Sequence, residues 1–120
     1  MVRAQTKARM QRVDVYYANL DPGQGPEAQK TRPVVIVSNN AANAASSLVT
    51  VLPVESNVAH IYPFKVKLPA KDTGSGKDSK AMAQQVRTLG KGRLGLQAAG
   101  QLSAPLMVKV DAALRLHLAL

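Results

Sequence analysis

Residues 30–39 read KTRPVVIVSN, a basic segment joined through one proline to an unbroken apolar run. Pro33 disfavours the helical region for the residue before it, so Arg32 is set in an extended conformation. The run Val34, Val35, Ile36, Val37 has no polar residue in alternation. It therefore reads as a strand covered on both faces, not one with a wet side. Arg32 then stands at the mouth of a rigid core strand, directly after a loop containing Pro22, Gly23, Gly25 and Pro26. On these residues alone two readings are open. Arg32 is either a fixed guanidinium poised for a phosphate group, or a solvated arginine at a strand start that contributes little.

The neighbouring segments are mostly short and β-rich. Residues 13–18 predict a strand leading into the Pro/Gly loop of residues 21–26. Residues 33–38 form the buried strand, and residues 40–47 fit either a short helix or a connecting loop. Residues 48–54 predict a further strand, followed by the polar turn Glu55, Ser56, Asn57. Phe64, Val66 and Leu68 alternate with Lys65 and Lys67, giving one buried face and one cationic face. The stretch AKDTGSGKD at 70–78 reads as a loop, and residues 80–89 as one more strand. Gly90, Gly92 and Gly95 then loosen the chain around Arg93. Ser103 is placed to cap a terminal helix with Pro105 in its first turn. Leu106, Met107, Val110, Ala113, Leu114 and Leu118 share one face of that helix. Short strands closed by a helix predict a mainly β fold with helices, a small and strongly bent sheet or barrel. A single domain over residues 12–120 is expected, preceded by a disordered basic arm over residues 1–11.

Composition bounds the function. The 120 residues carry a net charge of +9 and no cysteine, so disulfides and thiolate chemistry are excluded and a cytoplasmic location is expected. His60 and His117 are the two histidines. Neither has a partner at metal-ligand spacing, so no metal and no cofactor are expected. No apolar stretch reaches the roughly 18–20 residues that a membrane helix needs. The charged N-terminus lacks the apolar segment of a signal peptide. The charge is uneven: residues 65–93 hold eight Lys or Arg against Asp72 and Asp78. Such a surface attracts polyanions, nucleic acid before anionic membrane, although basic excess also serves solubility alone. With Tyr16, Tyr17, Tyr62 and Phe64 as the only rings, extensive base stacking is not the expected mode of recognition.

Five segments make the reading specific. VDVYYANLDPGQGPEAQKTRPVVIVSN, VTVLPVESN, YPFKVKL, KDSKAMAQQVRTL and LMVKVDAALRLHLAL resemble, in that order, the MazF/PemK/Kid toxin endoribonucleases of type II toxin–antitoxin systems. The resemblance spans about residues 12–120. It implies an SH3-like barrel with a C-terminal helix, acting as a homodimer. It also implies cleavage of single-stranded RNA at short sequences without a metal, and inhibition by a cognate antitoxin with an acidic segment. Arg32 matches the family's catalytic arginine at the entry to the second strand. Glu27 matches the glutamate of its G-S-E-Q loop, with Pro26 where serine is usual. Gln84, Gln85, Val86 and Arg87 stand for its Glu-Gln-Ile-Arg segment, and Val13 replaces the glycine of its R-G-D-V start.

The departure that matters most is at the family's catalytic threonine, where this chain has Glu55, followed by Ser56 and Asn57. The catalytic set implied is Arg32, Glu55 and Ser56. Implied RNA contacts are Glu27, Lys30, Thr31, Asn39, Asn57, Gln85 and Arg87, with Lys65 and Lys67 as non-specific phosphate contacts. In this chemistry the ribose 2′-OH attacks the adjacent phosphate and leaves a 2′,3′-cyclic phosphate and a 5′-OH. A threonine hydroxyl donates to a phosphate oxygen; an ionised glutamate cannot. Like charges about 4 Å apart repel by about 4 kcal/mol at an effective dielectric near 20. Glu55 is accordingly a general base, a lock on Arg32, or a surface residue whose role passes to Ser56. Reduced cleavage is the favoured expectation. The rival from another class is a binding module that holds RNA or the antitoxin and cuts nothing.

Overall fold

A computed structural model of the chain describes residues 9–59 and 63–120. His60 and residues 1–8 of the expected arm lie outside them. Met10, within the span assigned to that arm, is buried against the sheet, so the packed body reaches back to it.

Strands β1 (Asp14–Asn19) and β2 (Thr31–Ile36) pair antiparallel, from Val15 opposite Val35 to Asn19 opposite Thr31. The second strand begins earlier than Pro33 because Arg32 and Thr31 extend the ladder against Ala18 and Asn19. After helix α1 (Asn40–Ala45), β3 (Leu48–Glu55) returns along β2. Strand β4 (Lys65–Leu68), the single-turn helix α2 (Ala70–Thr73), β5 (Ser79–Met82), β6 (Arg87–Gly90), β7 (Gly100–Gln101) and helix α3 (Ala104–Leu118) complete the chain. Among the described residues the sheet order is β4-β5-β3-β2-β1-β7, with β6 also on β3. The result is a curled half-barrel.

The single strand expected over residues 80–89 is instead two. Strand β6 pairs along Leu48–Val51 of β3, β5 pairs at Val54 and Glu55, and a 3-10 turn at Ala83–Gln85 joins them. Residues 52 and 53 lie between these pairings, and Pro53 has no N–H to give to a ladder. The chain turns a corner there and curls the sheet. The loop expected over 70–78 holds the turn of α2, stopped by Gly74 in a left-handed conformation (φ 70°). A Cβ at Gly74 would lie 2.0 Å from the carbonyl oxygen of Ala99, so glycine is required for that approach.

Alternation along the central strands supplies two apolar layers. Val15, Val35, Leu52 and Val54 face Val66, Leu68, Ala81 and the α3 residues Met107, Val110 and Ala113. Tyr16, Ala18, Val34, Ile36, Val49 and Val51 face Met82, Leu89 and Leu94 on the inside of the curl. The two-faced burial read from residues 34–37 is therefore present, with Val34, Val35 and Ile36 fully buried. Each such side chain contributes roughly 1.5–3 kcal/mol through burial. Ser103 caps α3 by accepting from the amide of Leu106, and Pro105 sits in the first turn, as the sequence predicted. Leu118 does not join the core; it lies beyond the last buried residue of α3, Ala113, and is about half exposed.

Val13 has φ 87°, a left-handed conformation in which a β-branched residue is strained by about 1–3 kcal/mol. It is held by its amide donating to Ile36 and its carbonyl accepting from Leu102. A glycine would take this conformation without that cost. Among the described residues no helix is long and apolar enough to cross a membrane.

Candidate active site

The loop between β1 and β2 is closed by its own polar groups. The amide of Leu20 donates to the carbonyl of Lys30 (2.9 Å), and the amide of Lys30 donates to Asp21 Oδ1 (2.7 Å). Lys30 itself is left-handed, φ 66°, which turns the chain into Thr31 and Arg32. Glu27 Oε1 accepts from the amide of Gln24 at 2.7 Å, and Gln29 donates to Gly25 O.

Side chains from the second half of the protein brace the same loop. Gln85 accepts from the amide of Ala28 and donates to Pro26 O. Arg87 donates to Leu20 O at 3.0 Å, and Arg93 to Asp21 O at 2.8 Å and Asn19 O at 3.3 Å. The loop is thereby held as a fixed wall despite its Pro/Gly composition. Arg32, half-buried, donates Nε–H to the carbonyl of Gln29 at 3.0 Å, which fixes its guanidinium against that wall.

Opposite stands the end of β3. Together they enclose a cleft of ≈ 490 Å³ lined by Tyr17, Lys30, Thr31, Arg32, Pro33, Val54, Glu55, Ser56, Asn57, Ser75, Lys77 and Ser79. Six residues singled out from the sequence, Lys30, Thr31, Arg32, Glu55, Ser56 and Asn57, are therefore brought to one place. Glu27, Gln85 and Arg87 line a neighbouring cleft of ≈ 650 Å³. The two adjoin in chain order, since Ala28 leads to Lys30 and Pro53 leads to Val54.

Three expected contacts are not brought there. Asn39 caps α1, its Oδ1 accepting from Ala42 N at 2.8 Å. It follows the far end of β2, seven residues from Arg32 and roughly 23 Å along an extended chain. Lys65 and Lys67 border a separate ≈ 470 Å³ groove with Lys109, Ala112 and Leu116 of α3. Strand β4 lies beyond β5 from the Arg32 cleft, and α3 packs on that side. Sequence reading missed Ser75, Lys77 and Ser79, which the turn of α2 delivers to the cleft. A polar Gly/Ser stretch carries no spacing signal that would have announced them.

Glu55 has a partner that the sequence reading did not consider. It lies directly across from Lys80 in the β3–β5 ladder. Lys80 Nζ is 3.9 Å from Glu55 Oε2 and donates to the carbonyl of Ala59 at 2.7 Å. Its side chain is only 4 % exposed, against 35 % for Glu55. Burying an ammonium is tolerable only with compensation of this kind. The arrangement in which Glu55 locks Arg32 is not the one found: among the described residues Glu55 pairs with Lys80, and Arg32 bonds to a backbone carbonyl.

A curled antiparallel sheet backed by one helix, with an arginine-bearing polar cleft at the ends of its central strands, defines a small β-domain suited to gripping a polyanion. The chain belongs to the family described as PemK-like, MazF-like toxin of type II toxin-antitoxin system, whose model matches residues 11–118. It is 44 % identical over 114 residues to Endoribonuclease MazF9 of Mycobacterium tuberculosis, covering 91 % of this chain and 96 % of that protein. Its fold is similar to a crystal structure of MazF from Deinococcus radiodurans, with a TM-score of 0.81 and 25 % identity. That match covers 94 % of this chain and 99 % of the other. It is also similar to an endoribonuclease from a mycobacterial species solved in complex with its cognate antitoxin. There the TM-score is 0.77 and the identity 28 %, over 92 % of this chain and 96 % of that one.

Proposed function

We propose that the protein is a toxin endoribonuclease that cuts single-stranded RNA at specific short sequences without a metal. The observation that carries this reading is the convergence of Arg32, Glu55 and Ser56 on one cleft with Lys30, Thr31 and Asn57. The 2′-OH of one ribose loses its proton and attacks the neighbouring phosphorus. The bond from phosphorus to the 5′ oxygen breaks, and that oxygen takes up a proton. The products are a 2′,3′-cyclic phosphate and a 5′-OH. Arg32, fixed by Gln29 O, offsets the negative charge that gathers on the phosphorane. Ser56 supplies the neutral donor that a threonine would have given, and Glu55 lowers the rate by placing a carboxylate beside the phosphate.

The same cationic cleft suits an acidic segment of a cognate antitoxin, with affinity that falls as salt rises. The homodimer and the cytoplasmic site of action follow from family membership as parts of this proposal. A second reading is favoured by one observation, the glutamate in the threonine's place: the cleft binds RNA and does not turn it over. Arg32→Ala separates the two. On the enzymatic reading, product formation falls by about 10²–10³-fold, as when a preorganised donor to a developing oxyanion is removed, while RNA affinity changes far less. On the binding reading the parent protein itself forms no product.

A further inference from the structure

Lys80 is a buried cation that lies beside the cleft and has no part in the mechanism above. Its Cα is in register with Glu55 on one side and with Lys67 on the other, so the three side chains start from the same face of the sheet. Lys67 stays exposed, whereas Lys80 is 3 % exposed and donates to the carbonyl of Ala59. Pinning that turn needs a hydrogen-bond donor, which a neutral amide would supply with less desolvation. Among the described residues, the carboxylate that meets this positive charge is that of Glu55, 3.9 Å away. Glu55 in turn lines the cleft with Arg32.

We infer that Lys80 is a positioning residue: it holds the Glu55 carboxylate towards β5 and offsets part of its charge, so that Glu55 competes less with RNA phosphate for Arg32. Lys80 is thus the compensating partner that lets this chain carry glutamate where its family carries threonine. The inference rests on the reading of the cleft as an RNA site.

The test is a double-mutant cycle on the full chain, measuring kcat/KM on one RNA for the parent, Lys80→Met, Glu55→Thr and the double variant. Lys80→Gln is run in parallel; it keeps a donor for Ala59 and covers the case in which Lys80→Met does not fold. The Kd of a 2′-O-methyl RNA, which cannot be cut, is measured throughout. Neutralising Lys80 lowers kcat/KM about tenfold when Glu55 is present and less than about twofold in the Glu55→Thr background, the non-additivity of a coupled pair. Equal losses in both backgrounds make Lys80 a merely structural residue and overturn the inference, as does no loss in either. If the parent cuts no RNA, the enzymatic reading fails by itself. The same tenfold-against-twofold contrast in Kd then supports the role of Lys80, and equal effects on Kd overturn it.

Discussion

Under α3 the sheet is held by apolar contact: Met107, Val110 and Ala113 close over Val15, Val35, Leu52 and Val54. Around the Arg32 cleft the contacts are polar and directional instead. Arg32, Gln85, Arg87 and Arg93 each donate to a backbone carbonyl, and Lys80 pairs with Glu55. The two regions share β3, which pairs with β6 along its first half and with β2 in its middle, and whose last residues open onto the cleft. The lesson is a division of labour within one sheet. Substitutions under α3 register in stability, and substitutions at the cleft register in turnover, with stability also affected where a buried charge loses its partner.

The largest expected break in that contrast is Met107→Ala. Removing this buried side chain destabilises by about 2–5 kcal/mol, and calorimetry shows a lower Tm. RNA cleavage per folded molecule, measured well below the transition, stays within about twofold. A comparable loss of specific activity would show that the α3 face and the cleft are not separable.

At the cleft, Glu55→Thr moves the two quantities in opposite directions. Cleavage rises by about tenfold, equivalent to about 1.4 kcal/mol, as the carboxylate is removed and a donor is gained. Stability falls, because Lys80 keeps its buried ammonium and loses its carboxylate partner. Parallel cleavage assays and denaturant titrations read both. A loss of cleavage would mark Glu55 as the general base.

The smallest effect belongs to Tyr16, inside the curl. Its hydroxyl is buried with no hydrogen-bond partner among the described residues, and burial, then the charge of Asp14, pushes its phenol above the ordinary value of 10.0. Tyr16→Phe therefore leaves Tm unchanged or raises it, by up to about 1 kcal/mol in stability. The sign of the pH effect follows from the raised value. Above pH 10.0 the unfolded chain loses the phenolic proton while the folded chain keeps it, so stability falls as pH rises further. Tyr16→Phe removes that part of the alkaline decline in Tm.

Much of this was legible in the sequence where a local rule and the tertiary fold agree. Pro33 and the Val34–Val37 run announced an extended, doubly covered strand, and Ser103 with Pro105 announced the start of α3; both are present. The break between β5 and β6 was not legible, because residues 80–89 have strand-like composition and the corner falls opposite Leu52 and Pro53 on another strand. Six of the residues singled out by motif order line one cleft, since they flank two paired strand ends. Asn39, Lys65 and Lys67 lie away from that cleft, because charge and polarity do not say which end or edge of a sheet a residue occupies. Lys80 was hidden for the same reason: nothing in residues 80–89 marks a buried lysine that donates to the carbonyl of Ala59.

The most direct test of the account is to incubate the purified protein with a long mixed-sequence RNA in excess EDTA and to map every new 5′ end. Discrete cuts that share a short motif and carry 5′-OH termini are the predicted result. RNA that stays intact while salt-sensitive binding persists would contradict it, and would leave the Arg32 cleft as a binding site without turnover.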